Sequence, residues 1–90
     1  MKATYQTANP GNRAIEAQIF SIPVAAARLV VKELRCEPGT YWETKVLKPM
    51  RRAIRAKLNS FSVSVGGFST CELANALRSV GCEVEFTGNV

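Results

Sequence analysis

Apolar and polar positions change period along this chain, and each change marks an element. Ile15, Ala17 and Ile19 alternate with Glu16 and Gln18, the two-residue period of a strand with one wet face. They follow Asn9-Pro10-Gly11-Asn12, a turn sequence in which Pro presets φ at one corner and Gly accepts positive φ at the next. The stretch from Ala3 to Phe20 therefore predicts a β-hairpin, with a short helix over residues 13–20 as the competing reading. From Ser21 the period lengthens. Val24, Ala27, Val31 and Leu34 recur at three and four, with Val30 beside them, which predicts a helix with one buried face. Ser21 is placed to cap it, and Pro23 is tolerated in a first turn, where its missing N–H would be unpaired anyway. Glu37-Pro38-Gly39 ends it.

Residues 40–58 carry two conflicting signals. Trp42, Val46, Met50, Ile54 and Leu58 keep a spacing of four, and Thr40 and Glu43 stand at capping-box spacing, as one helix would have them. Pro49 objects, because inside a helix it removes a hydrogen bond and clashes with the preceding turn, at a cost of ~3 kcal/mol. The sequence allows either a helix kinked at Pro49 or an extended segment followed by a helix from about 48 to 58. Beyond it, Phe61, Val63 and Val65 alternate with serines, and Gly66-Gly67 breaks that strand. Leu73, Ala76, Leu77 and Val80 form a helical stripe, with Ser69 and Glu72 at capping-box spacing and Gly81 where a C′ glycine belongs. Cys82, Val84 and Phe86 then alternate with Glu83 and Glu85 as a last strand, and residues 87–90 read as a tail.

The final thirty residues thus predict strand–helix–strand, with the two strands parallel and adjacent or one strand apart. Together with the hairpin this gives one α+β domain over residues 1–90. It is a small two-layer sandwich with three to four strands on one side and two or three helices on the other face. Ninety residues leave no room for a second core, and 47% hydrophobic with 21% charged residues is globular composition.

Charge narrows the function. Twelve Lys and Arg stand against seven acids, all Glu, for a net charge of +5, which favours encounter with polyanions. There is no His, so the commonest general base and metal ligand is missing. The three cysteines, Cys36, Cys71 and Cys82, show no C-x-x-C spacing and make a poor zinc set. Their odd number argues for reduced thiols, read as small buried apolar groups. Catalysis would fall to Cys, Glu, Lys or Tyr, and no spacing groups them. The sequence therefore predicts a non-enzyme with no catalytic residues, metal, cofactor or small-molecule substrate. The longest apolar run, IPVAAARLVV, is too short to span a bilayer, and the first thirteen residues lack the apolar core of a secretory signal. A soluble cytoplasmic protein is expected.

The sharpest chemical feature is KVLKPMRRAIRAKL, residues 45–58, which holds several cations and no acid. On a helical wheel Leu47, Met50, Ile54 and Leu58 fall within about 80°, while Lys45, Lys48, Arg51, Arg52 and Arg55 fill an adjacent sector of roughly 120°. Only Lys57 sits apart. Like charges four apart cost a few tenths of a kcal/mol each, and no acid is interleaved to offset them, so the pattern points to an anionic partner. The plain structural reading is a solvated face answered by Glu83 and Glu85 from the last strand. Tyr41 and Trp42 precede the cations, and an aromatic beside cations is a common way to hold single-stranded nucleic acid.

Two partners follow. The first is nucleic acid, DNA or RNA, held by its phosphates on Lys45, Lys48, Arg51, Arg52 and Arg55 with Trp42 beside them. The second is an acidic surface of a larger protein, on which the same residues would dock an inhibitor or adaptor. The run Glu72-Leu73-Ala74-Asn75-Ala76-Leu77 also suits the first helix of a helix-turn-helix, but the acidic strand after it lacks the donors a recognition helix needs.

Overall fold

A computed structural model describes residues 1–7, 17–33 and 39–89. The elements run β1 (Lys2–Thr7), β2 (Gln18–Pro23), α1 (Val24–Glu33), a π-turn (Glu43–Leu47), α2 (Lys48–Arg55), β3 (Ser60–Val65), α3 (Gly67–Ser79) and β4 (Glu83–Asn89). The four strands form one sheet in the order β3-β2-β1-β4. β1 and β2 are antiparallel, as a hairpin requires, β2 and β3 are antiparallel, and β4 runs parallel to β1. The turn sequence at residues 9–12 lies outside the described residues.

The hairpin is present, but its second strand is shifted in phase and position. Phe20 and Ile22 are fully buried, whereas Ile19 is only half-buried. A strand sends alternate residues to opposite faces, so only one of these sets can enter the core, and the larger pair wins. Strand β2 also runs on through Ser21 to Pro23, where a helix cap was expected. Pro23 is tolerated there because the pairing of β2 with β1 stops at Ser21, leaving no partner for the N–H it lacks. The next residue, Val24, closes the β2–β3 ladder by donating its N–H to the Asn59 carbonyl at 2.9 Å. Helix α1 begins there and buries Val24, Ala26, Ala27 and Val30. The predicted end of that helix falls outside the described residues.

β3 and β4 are parallel and joined through α3, as the sequence predicts, but β2 and β1 both lie between them. They are thus two strands apart, not adjacent or one apart. Three inter-strand steps come to roughly 14 Å, within reach of a 13-residue helix that is about 20 Å long. The hairpin takes the centre of the sheet and leaves the crossover strands as its edges.

One face of the sheet carries the core. Ala3, Phe20, Ile22, Val63 and Val65 pack with Ala26, Ala27 and Val30 of α1, Val46, Leu47 and Met50 around the π-turn, and Leu73 and Leu77 of α3. The opposite face is polar. Register places Ser62, Ser21, Thr4 and Glu85 in one row across it. β4 continues to Asn89 where a tail was expected, with an irregularity in its pairing next to Tyr5/Gln6. At that step Thr87 turns its hydroxyl to donate to the Tyr5 carbonyl at 3.1 Å.

Helix α3 starts at Gly67 with Gly66 as its N-cap, ahead of the predicted Ser69 cap. The Gly66 carbonyl accepts the Ser69 N–H at 3.0 Å and the Thr70 hydroxyl at 3.4 Å, so backbone closes the first turn and the Ser69–Glu72 capping box is not formed. The C-terminus is as predicted. Gly81 has φ 86°, its N–H reaches the Arg78 carbonyl and the Cys82 N–H reaches that of Leu77, both at 3.0 Å. Those two bonds define a Schellman motif. Among the described residues no helix is long and apolar enough to cross a membrane.

Candidate functional site

The conflict at Pro49 is resolved by a helix that widens. The chain is helical from Tyr41, passes through the π-turn and continues as α2 without an extended segment. Thr40 starts it, its hydroxyl accepting the Glu43 N–H at 3.3 Å. At the junction the Lys48 N–H reaches back five residues to the Glu43 carbonyl. A π-turn holds one residue more than an α-turn, which eases the crowding a proline ring imposes on the carbonyl four residues before it. Pro49 then sits in the first turn of α2, where a proline is tolerated.

The wider turn also moves side chains. In an unbroken α-helix, residues eight apart are offset by about 80°. The extra residue of the π-turn takes up most of that offset and brings Arg51 back over Glu43. Their side chains meet with Nη1 to Oε1 at 2.7 Å. The Glu43 side chain is only 11% exposed and that of Arg51 45%, so Arg51 neutralises a nearly buried carboxylate.

The core side of this helix is Val46, Leu47, Met50 and Ala53, with Ile54 half-buried. Leu58, predicted for the core stripe, is 49% exposed, because α2 ends at Arg55 and not at 58. The ending is another Schellman motif. The Lys57 N–H bonds to the Ile54 carbonyl at 3.1 Å and the Leu58 N–H to that of Ala53 at 3.2 Å. Lys57 itself takes φ 57°, a left-handed conformation usually left to glycine.

Lys45, Lys48, Arg52 and Arg55 are all exposed, and among the described residues none has an acidic partner. Lys48 to Arg55 spans about 10 Å along the helix axis. The acids expected to answer them lie elsewhere. Glu83 and Glu85 alternate with Cys82 and Val84 and so face the open side of the sheet, where Glu85 pairs with Lys2. The hydrogen bond and charge of Glu85 raise the pKa of Lys2 above the usual lysine value. The acid that does meet the basic segment is Glu43, which precedes the stretch placed on the wheel and which a regular helix would offset from Arg51 by about 80°.

The two aromatics before the cations are divided by the fold. Trp42 is half-buried and packs against the core, whereas Tyr41 is 48% exposed. The Tyr41 hydroxyl accepts the backbone N–H of Gly66 at 3.0 Å, tying the start of this helix to the start of α3. Of the cysteines, Cys82 is buried and its thiol pKa is pushed up by that burial, while Cys71 is exposed, contrary to the buried reading. Cys36 lies outside the described residues. No group of His, Cys, Asp and Glu among the described residues is arranged to hold a metal ion. No protein-family model matches the chain, and no curated protein or solved structure is significantly similar to it.

Proposed function

We propose that this protein is a non-enzymatic nucleic-acid-binding or regulatory module of the cytoplasm that holds backbone phosphates on the outer face of α2. Lys45, Lys48, Arg52 and Arg55 make the contacts. Arg51 stands among them with its charge already engaged by Glu43, and Trp42 serves by fixing the helix to the core. The observation that supports this reading is that these four cations are exposed and, among the described residues, have no acidic partner. Four such contacts give a log–log salt slope of about −3 to −4. Fluorescence anisotropy of labelled mixed-sequence oligonucleotides, single- and double-stranded, tests it at several salt concentrations. The wild-type protein binds in the micromolar range and weakens steeply with salt. The Lys48→Glu/Arg52→Glu/Arg55→Glu variant, which spares the Arg51–Glu43 pair, does not bind. Absence of wild-type binding at low salt overturns the reading.

A second reading, an inhibitor or adaptor docking on an acidic protein surface, has one observation of its own. Strand β3 is a sheet edge without a charged residue. Beside it Pro49, Arg52, Ala53, Ala56, Leu58 and Phe61 line a groove of about 270 Å³. An uncharged edge next to an apolar groove is a template for an added strand. A pull-down with the wild-type protein and a Ser62→Pro variant tests this, since proline on the edge blocks strand addition.

A further inference from the structure

We propose that the nucleic acid held by α2 is single-stranded and that one of its bases stacks on the ring of Tyr41. The inference rests on the phosphate-holding reading of α2 and adds the class of nucleic acid and the residue that selects it.

Tyr41 combines exposure with restraint. Nearly half of its surface is open, yet its hydroxyl is held by the Gly66 N–H at 3.0 Å. A half-exposed tyrosine usually spends its hydroxyl on water and swings freely. This ring is pinned at both ends, by the helix that carries it and by the N-cap of α3. The neighbouring Trp42, packed on the core, holds the backbone from the other side. A ring already fixed in place loses little conformational entropy when a ligand covers it. Among the described residues no ring stacks on it. The ring contacts among the described residues are Tyr5 with Phe20 and Tyr5 with Phe86, and both lie on the sheet.

Position supplies the rest. Lys45 and Lys48 follow Tyr41 by about one and two helical turns, and both are exposed. The π-turn offsets Tyr41 from Lys48, Arg52 and Arg55 by about 100° around the helix, so a strand that follows these cations curves past Lys45 to reach the Tyr41 ring. Stacking on an aromatic with phosphates on adjacent cations is the general mode of single-strand recognition. A duplex offers no base face for this, because its bases are stacked on one another. Phe86, the other exposed aromatic ring among the described residues, belongs to β4 at the far edge of the sheet from β3 and stands apart from these cations.

The test compares labelled oligothymidine with a labelled duplex of equal length, using wild-type, Tyr41→Leu and Tyr41→Phe proteins, with a thermal melt of each. Wild-type protein prefers oligothymidine. Tyr41→Leu weakens that binding by about tenfold or more and leaves duplex binding within about twofold. Tyr41→Phe keeps the ring but loses the bond to Gly66 that restrains it, so it binds oligothymidine more weakly than wild type and more tightly than Tyr41→Leu, and melts lower. On the wild-type protein, oligothymidine shifts the Tyr41 ring-proton resonances upfield, a readout independent of variant stability. Unchanged affinity in Tyr41→Leu, a wild-type preference for duplex, or unshifted ring protons overturns this inference alone. Binding that is absent, or indifferent to Lys48→Glu/Arg52→Glu/Arg55→Glu, overturns the reading of α2 and this inference with it.

Discussion

Arg51 and Arg52 are adjacent in the chain and identical in chemistry, yet among the described residues Arg51 alone has an acid to hold. Its guanidinium meets Glu43 at 2.7 Å, and the Glu43 side chain is almost closed off from water. Truncating Arg51 leaves that carboxylate without its partner, so the penalty is the cost of an unsatisfied buried group and exceeds the small worth of a surface ion pair. Because the Arg51 side chain is 45% exposed, water relieves part of it. Arg51→Ala is expected to destabilise by about 1–3 kcal/mol. Arg52→Ala and Arg55→Ala are expected to stay within about 0.5 kcal/mol. Urea denaturation of the three variants measures the difference, and equal small effects would deny Glu43 its dependence on Arg51.

At the scale of elements, the helix carrying the cations is shaped by irregularities at both ends. The π-turn accommodates Pro49 and sets the Glu43–Arg51 register. At the other end Lys57 occupies the C′ position of a Schellman motif with φ 57°, where an L side chain costs about 1–2 kcal/mol. Gly81 holds the corresponding position after α3 without that strain. Replacing Lys57 by glycine removes the strain but adds some unfolded-state entropy. Lys57→Gly is therefore expected to stabilise by roughly 0.5–1 kcal/mol, read as a raised urea midpoint at constant m-value. A destabilised Lys57→Gly would mean that the lysine side chain contributes more than its backbone costs.

Across the whole molecule, charge is divided between the layers. The exposed cations of α2 lie on the helical side, while Glu83, Glu85 and Lys2 lie on the open face of the sheet. A polyanion approaching α2 meets cations that have no acidic partner among the described residues, and one approaching the open face of the sheet meets Glu83 and Glu85, with Lys2 already paired to Glu85. On the proposed reading, the salt dependence of binding belongs to the side that carries α2. For a single strand, Arg55→Ala is expected to reduce the log–log salt slope by about 0.7, one contact's share, while Lys2→Ala leaves slope and affinity as they are. Anisotropy titrations over a salt series decide it, and an equal effect from Lys2 would place the binding surface elsewhere.

The periods of the sequence determined the elements and their class. Alternation at Phe61, Val63 and Val65, the stripe of Leu73 and Leu77 and the glycine at 81 are local signals, and local geometry was enough to act on them. Composition and length likewise set a small, basic, globular chain. What depended on tertiary structure was every choice between nearly equal local options. Phe20 and Ile22 displaced Ile19 from the core because the sheet has only one covered face. Ser21 and Pro23 became strand because β3 was there to pair with them, and the hairpin took the centre of the sheet, separating β3 from β4. Position on a regular wheel put Lys48, Arg52 and Arg55 on the exposed side of α2, but it could not foresee a π-turn, since that turn answers a proline inside a packed helix. With the turn came the pairing of Arg51 with Glu43. The reach of Tyr41 to Gly66 spans 25 positions in the chain, a contact that only the closed fold brings about.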